Sequence, residues 1–561
     1  MFLGIPHITP PIGNLRFRKP KLNRETWNGV LETKEFKPAC MSDPVGTYLR
    51  PEGGPISEDC LYINVYTNDF CLTYKNCSVM VAVHGGQMIR GSTATYRSDV
   101  ITNNFVGQDR NIVVVTVPYR LGVFGLPNLP GDLDGVMDRN LVLYDVIAGL
   151  EWVQLEIANF GGNPNKTTFF GHSGGGSIGS VLSLLPEYGH LWQKMVLMSA
   201  PWLMRSKSAN SKMFLKVAEH VGCTGSKNQE IIDCLRAIPA QKLSDTQEHV
   251  FRFEEESIAD FVIDGELLKT HPRQILKSGA FPKKPLMIGT VPYEMRFTQY
   301  FNKTGLVNQE ELLELCELLG FVGAYQDPYD FVEKCVEFYM EADTFEFPVD
   351  DFVFHVPAAL LAQSHASEHP VYLYSYKYPG LGSGFTSAPS PVSPVHSEDF
   401  VYLFGVHRSS NFTTRDLKIE HIYSGMVADF VNFGVPKGQE WKKLNPEIMN
   451  YMDIDFDKDL VMPGMKYEFY KKRTEFWNEK WAFLIFKKYF SLIFSRFSFN
   501  EISTKSFDVF PLRELVEAKN ILLKTRNWNA DKTVESAKKN VAEIEKLIEE
   551  SKKKKNLPGS D

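Results

Sequence analysis

The chain has 561 residues, and length alone would divide it into several domains. Hydrophobic residues make up 43%, enough for a large core, and forty phenylalanines foretell an aromatic-rich core or gorge. A net charge of −7 is modest and acidic in sign, which argues against a nucleic-acid partner.

At the N-terminus no signal peptide is visible. Met1-Phe2-Leu3-Gly4-Ile5-Pro6 runs straight into Pro10-Pro11-Ile12-Gly13-Asn14-Leu15-Arg16-Phe17. Eight cysteines follow, at 40, 60, 71, 77, 223, 234, 316 and 335. An even number in close pairs fits disulfides and an oxidising compartment. Proximity in sequence pairs Cys71 with Cys77 and Cys316 with Cys335. Asn76, Asn165, Asn302 and Asn411 each begin an N-x-S/T triplet, a weak pointer to the same compartment.

Val79 to Val83 and Ile112 to Val117 are continuous apolar runs rich in β-branched residues. Such runs read as strands buried on both faces of a largely parallel sheet. Lys194 to Met198, Lys284 to Ile288 and Val371 to Tyr374 repeat the type. Between them lie helical patterns. Asn140 to Ala158 sets Leu143, Ile147, Leu150 and Val153 on one face. Strand–helix alternation of this kind predicts a doubly wound α/β sheet.

The most informative stretch is Thr167-Thr168-Phe169-Phe170-Gly171-His172-Ser173-Gly174-Gly175-Gly176. An apolar run ends at Gly171, glycines follow Ser173, and Ser177 to Leu182 reads as helix. Strand, sharp turn and helix make a nucleophile elbow, with the serine in strained backbone geometry. The helix start aims backbone N–H groups at an oxyanion forming over Ser173. A serine at neutral pH needs a base, and the base needs an orienting carboxylate.

Beyond Trp477 the composition changes. Phe483, Phe486, Phe490, Phe494 and Phe497 keep helical spacing across 481–499, but Lys487, Lys488 and Arg496 make the stretch too charged to span a membrane. Three readings stand: a helix packed on the domain, a membrane-surface helix, or an error of gene prediction. Val534, Ala537, Val541, Ile544 and Ile548 alternate by three and four, too briefly for a coiled coil. Lys552 to Lys555 reads as a solvated end.

Phe160-Gly161-Gly162-Asn163-Pro164 precedes the elbow, and Asp59-Cys60-Leu61-Tyr62-Ile63-Asn64-Val65 lies upstream. Together they resemble the two signatures of the type-B carboxylesterase/cholinesterase family of α/β-hydrolases. The likeness runs from Phe2 to about Trp477. Thr167 and Phe169 depart mildly from the aliphatic residues usual there. The resemblance implies one α/β-hydrolase domain over 1–477, followed by a tail, 478–561. It also implies a small-molecule ester substrate, with no metal or organic cofactor. Relatives carry a leader and a first β-hairpin before this start, so the expectation is a truncated N-terminus or a cytoplasmic protein. The paired cysteines favour the former, with a secretory or extracellular location.

Residue by residue, the resemblance implies disulfides Cys40–Cys60 and Cys223–Cys234. Glu294, five residues past Gly289, falls where the family carries its triad acid. His396 matches the family's histidine, leading into a Tyr402-Leu403-Phe404-Gly405 helix. The order Ser173, Glu294, His396 is that of α/β-hydrolases. The oxyanion donors would be the N–H groups of Gly86, Gln87 and Gly174.

Several positions depart from the family. Met295 stands where glycine is usual, and Gln87 replaces a glycine of the oxyanion loop. The expectation is that the loop tolerates ordinary φ/ψ at Gln87, so that its N–H is kept. His172 replaces the glutamate common before the serine, and the loop from Cys40 to Cys60 has no tryptophan, only Tyr48 as an aromatic. Both argue against a cholinesterase, which needs a cation–π platform, and for a broader esterase of neutral substrates. The alternative is a catalytically weak or inactive adhesion or binding protein on the same scaffold. That branch typically loses triad members, whereas all three are present here.

Overall fold

The structure, a computed structural model, describes residues 1–42, 55–201, 207–253, 261–295, 309–322, 328–342, 344, 347–385, 393–437 and 440–480. Tyr48 and the 481–561 tail patterns lie outside these residues.

Among the described residues, ten strands form the main sheet: β1 (Phe2–Pro6), β2 (Tyr62–Tyr66), β3 (Cys77–Val83), β4 (Ile112–Val117), β5 (Gly162–His172), β6 (Lys194–Met198), β7 (Leu286–Thr290), β8 (Val371–Tyr376), β9 (Tyr451–Ile454) and β10 (Gly464–Lys466). Their spatial order is β1-β2-β4-β3-β5-β6-β7-β8-β9-β10. From β4 to β9 every neighbouring pair is parallel. The pairings β1–β2, β2–β4 and β9–β10 are antiparallel. This is the α/β-hydrolase arrangement, a large mixed sheet flanked by helices.

The apolar runs exist because the parallel centre is buried on both faces. Side chains alternate across the sheet. Val79, Val81 and Val83 of β3 therefore join one core cluster with Val113, Val115 and Val117, while Met80 and Ala82 join a second with Ile112 and Val114. Phe169 and Phe170 of β5 divide the same way.

The upstream signature also has a physical reason. Asn64 on β2 is buried, its Oδ1 accepts from the Gly4 N–H at 2.9 Å, and its Nδ2 donates to Thr93 Oγ1 and Thr116 Oγ1. One amide thus ties the edge strand to two interior elements without leaving an orphaned polar group. The helix expected from Asn140 spans Leu141–Glu156 and is buried on more than the one predicted face, with Val142, Val146 and Ala148 also inside. Asp145 on it accepts two bonds from the Arg120 guanidinium, at 2.8 and 2.7 Å, and one from the Arg120 N–H at 3.0 Å, so that buried charge is paired.

Four disulfides close: Cys40–Cys60, Cys71–Cys77, Cys223–Cys234 and Cys316–Cys335. Mapping of unreduced peptides from protein made in a secretory host is expected to recover all four pairings. Free thiols at these positions would contradict both the pairing and the oxidising compartment.

Candidate active site

β5 ends at His172, and the helix Gly174–Ser183 starts one residue later. Ser173 bridges them at φ 53°, ψ −123°, a conformation that costs a non-glycine residue roughly 1–3 kcal/mol. Bonds on either side hold it there: the Ser173 N–H donates to Met198 O at 3.0 Å, and Ser173 O accepts from Ser177 N at 2.9 Å. The turn is tight enough to demand glycine. A Cβ on Gly175 would lie 2.1 Å from Val83 O, and one on Gly171 would lie 2.4 Å from Gly175 O.

Glu294 stands in the turn after β7 and His396 in the loop before the short helix Val401–Phe404. A bridge between Tyr293 and Val395 joins the two loops. The structure brings the three side chains together in one chain of hydrogen bonds. His396 Nε2 lies 2.8 Å from Ser173 Oγ, and His396 Nδ1 lies 2.5 Å from Glu294 Oε2. Glu294 Oε1 accepts from the Val291 N–H at 3.0 Å. Glu294 is fully buried, and Ser173 and His396 are 7% and 9% exposed. With Nδ1 donating to the carboxylate, Nε2 is left to accept from the serine.

His172 packs its ring against Phe400 at 4.1 Å and 6° and against His396 at 5.1 Å and 27°. Burial first, then the charges on His396 and His407, holds the His172 imidazolium far below the ordinary histidine range. His407 is lowered to about 4 by burial and then by His396. Of the three imidazoles, His396 alone has the carboxylate of Glu294 beside it.

Gln87 requires a correction. The sequence predicts ordinary φ/ψ, but the structure places Gln87 at φ 56° and Met88 at φ 58°, both left-handed. The cause is the tight turn after Gly86, whose carbonyl accepts from both Ile89 and Arg90. Gly86 itself has φ 101°, and a Cβ there would strike Arg90 O at 2.2 Å. The left-handed turn does not carry Gln87 away from the elbow. Gln87 N and Met88 N both lie 3.2 Å from where a Gly174 Cβ would stand.

Sequence reasoning missed the acids that brace the two loops. Glu398 accepts from the Val395 N–H at 3.1 Å and from Ser393 Oγ at 2.7 Å, and burial pushes its carboxyl up to about 7. Asp350 accepts from the Met295 N–H at 3.0 Å. The available signal was acids set within apolar stretches, at Asp350 and Asp351 before Phe352-Val353-Phe354. Among the described residues no cluster of histidine, cysteine and acidic side chains is arranged to hold a metal, and no helix is long and apolar enough to cross a membrane.

A sequence model of the carboxylesterase family matches residues 1–477. Liver carboxylesterase 1 of Oryctolagus cuniculus is 28% identical, over 86% of this chain and 89% of its own length. Carboxylesterase 1D of Rattus norvegicus is 30% identical, over 78% and 82%. A solved PNB esterase superposes with a TM-score of 0.70 at 24% identity, covering 85% of this chain and 95% of its own, and so shares the fold. The matched family, the ten-stranded sheet and its curated relatives agree: the chain belongs to the carboxylesterase family of α/β-hydrolases, enzymes that hydrolyse carboxylic esters.

Proposed function

We propose that the chain cleaves small carboxylic esters through an acyl-enzyme on Ser173, with His396 as general base and acid and Glu294 as its orienting carboxylate. The observation that carries this is the unbroken chain Ser173 Oγ–His396–Glu294–Val291 N. As Ser173 Oγ attacks the ester carbonyl, its proton passes to His396 Nε2. The imidazolium that forms is stabilised by Glu294, then returns the proton to the departing alcohol. Water, deprotonated by the same ring, releases the acid and restores Ser173. A fluorophosphonate probe tests the reading. It is expected to label Ser173 in the native protein; absence of label would reject the triad.

The developing oxyanion would be met by the N–H groups of Gly86, Gln87 and Gly174. His172 puts a neutral ring where a carboxylate is common, and this favours neutral over cationic substrates. Paired cysteines and exposed Asn165 and Asn411 in N-x-S/T triplets support a secretory or luminal location.

Gln87→Gly measures how good the hole is. Left-handed backbone costs a residue with a Cβ about 1–2 kcal/mol, which glycine would relieve. Gln87 N lies 3.2 Å from where a Gly174 Cβ would stand, which supports its keeping a donor's place beside the elbow. We expect kcat on an acetate ester to change by less than about tenfold, with any gain confined to bulky substrates. A rise of about a hundredfold on the smallest ester, the size of one restored donor, would show a weakened native hole and favour the binding-protein alternative.

A further inference from the structure

Behind the acid turn lies a second buried polar cluster. Asp351 and His355 stand at the two ends of a π-helical turn, Asp351–His355, and both are fully buried. Single π-turns within helices recur at functional positions. Asp351 accepts three bonds: from Tyr339 Oη at 2.8 Å, from Arg473 Nη1 at 2.9 Å and from His355 Nδ1 at 2.8 Å. Arg473 belongs to the helix Lys471–Lys480, and Trp477 on the same helix donates to Tyr339 Oη at 2.7 Å.

The other nitrogen of His355 faces the active site. His355 Nε2 lies 3.1 Å from Val291 O. A carbonyl only accepts, so Nε2 donates to Val291 O, while Nδ1 lies against the Asp351 carboxylate. The ring stacks on Tyr470 at 4.1 Å and 19°. Val291 is the residue whose N–H holds Glu294 Oε1, and Asp350 holds the far end of the same turn through the Met295 N–H. The acid turn is thus gripped at both ends by one helical segment.

We infer that His355 is a positioning residue for ester hydrolysis: by bonding the Val291 carbonyl it fixes the turn that aims Glu294 at His396. It touches neither substrate nor the reacting atoms. The inference rests on the esterase reading above. Removing His355 leaves Asp351 with Tyr339 and Arg473, so the buried carboxylate stays paired and the fold is expected to survive.

The test compares His355→Phe, which keeps an aromatic ring on Tyr470 but has no donor, with His355→Gln, which keeps one. For each, kcat and KM on a short p-nitrophenyl ester are read beside the thermal midpoint. Misplacing a catalytic group by about 1 Å costs about a hundredfold, so His355→Phe is expected to lose about ten- to a hundredfold in kcat, with KM within about threefold. His355→Gln is expected to recover at least a third of that loss on a logarithmic scale. If His355→Phe does not fold, His355→Gln carries the test, with a kcat loss of at least about threefold at unchanged KM. Wild-type kcat in both variants would overturn the inference. So would equal losses in the two that follow the fall in thermal midpoint. No turnover in the wild type would sink the esterase reading together with this one, whereas an active wild type with an unimpaired His355→Phe sinks this one alone.

Discussion

Ser173→Ala is expected to lower kcat on p-nitrophenyl acetate by about 10⁴-fold or more and to leave the fold intact. The loss is large because, on the reading above, the acyl intermediate forms on Ser173, and without it His396 has only water to activate. Loss of the nucleophile in triad hydrolases removes nearly all of the rate that the triad supplies together. The fold survives because alanine keeps the Cβ and so pays the same backbone strain at φ 53°. The two bonds that hold this turn, Ser173 N to Met198 O and Ser177 N to Ser173 O, are made by backbone and persist. What is lost is one hydrogen bond to the imidazole of His396, about 0.5–1.5 kcal/mol. Steady-state rates and thermal melting on the same preparation check both halves. Turnover near wild type would remove Ser173 from the mechanism.

Much of the architecture is legible because the parallel centre is buried on both faces. Val79 to Val83 and Ile112 to Val117 carry no polar alternation to confuse the period, and the structure makes each a strand. The turn at Ser173 is legible because its glycines answer collisions of about 2 Å that are local in sequence. Short edge strands are harder. Tyr451–Ile454 and Gly464–Lys466 span too few residues for a period to show. Gln87 misled for a different reason. Its left-handed backbone is imposed by the turn after Gly86, whose carbonyl accepts from Ile89 and Arg90, and no propensity records that turn. The braces behind the site were invisible because they act at long range. Asp350 reaches Met295 across 55 residues and His355 reaches Val291 across 64. A buried acid declares itself in sequence only as a charge in an apolar run, without naming its partner.

Glu294→Gln should cost about 10³–10⁴ in kcat, with KM changed by no more than a few-fold, although the two side chains have the same shape. The argument is one of hydrogen-bond bookkeeping at a buried site. Glu294 accepts at both oxygens, from His396 Nδ1 and from the Val291 N–H. A glutamine has one oxygen. If that oxygen stays on the Val291 N–H, its NH₂ faces His396 Nδ1, which must then accept. The ring proton moves to Nε2 and points at Ser173 Oγ, so the base can no longer take the serine's proton. Loss of the correct tautomer in this way is worth about 10⁴ in triad enzymes. If the amide flips, its NH₂ meets the Val291 N–H, and two buried donors oppose each other at about 1–3 kcal/mol. Neither arrangement also gives the imidazolium a charged partner. Asp399 is fully buried, and burial and then the charge on Glu294 raise its carboxyl to about 8. A kcat within tenfold of wild type would therefore mean that Glu294 is not the orienting acid.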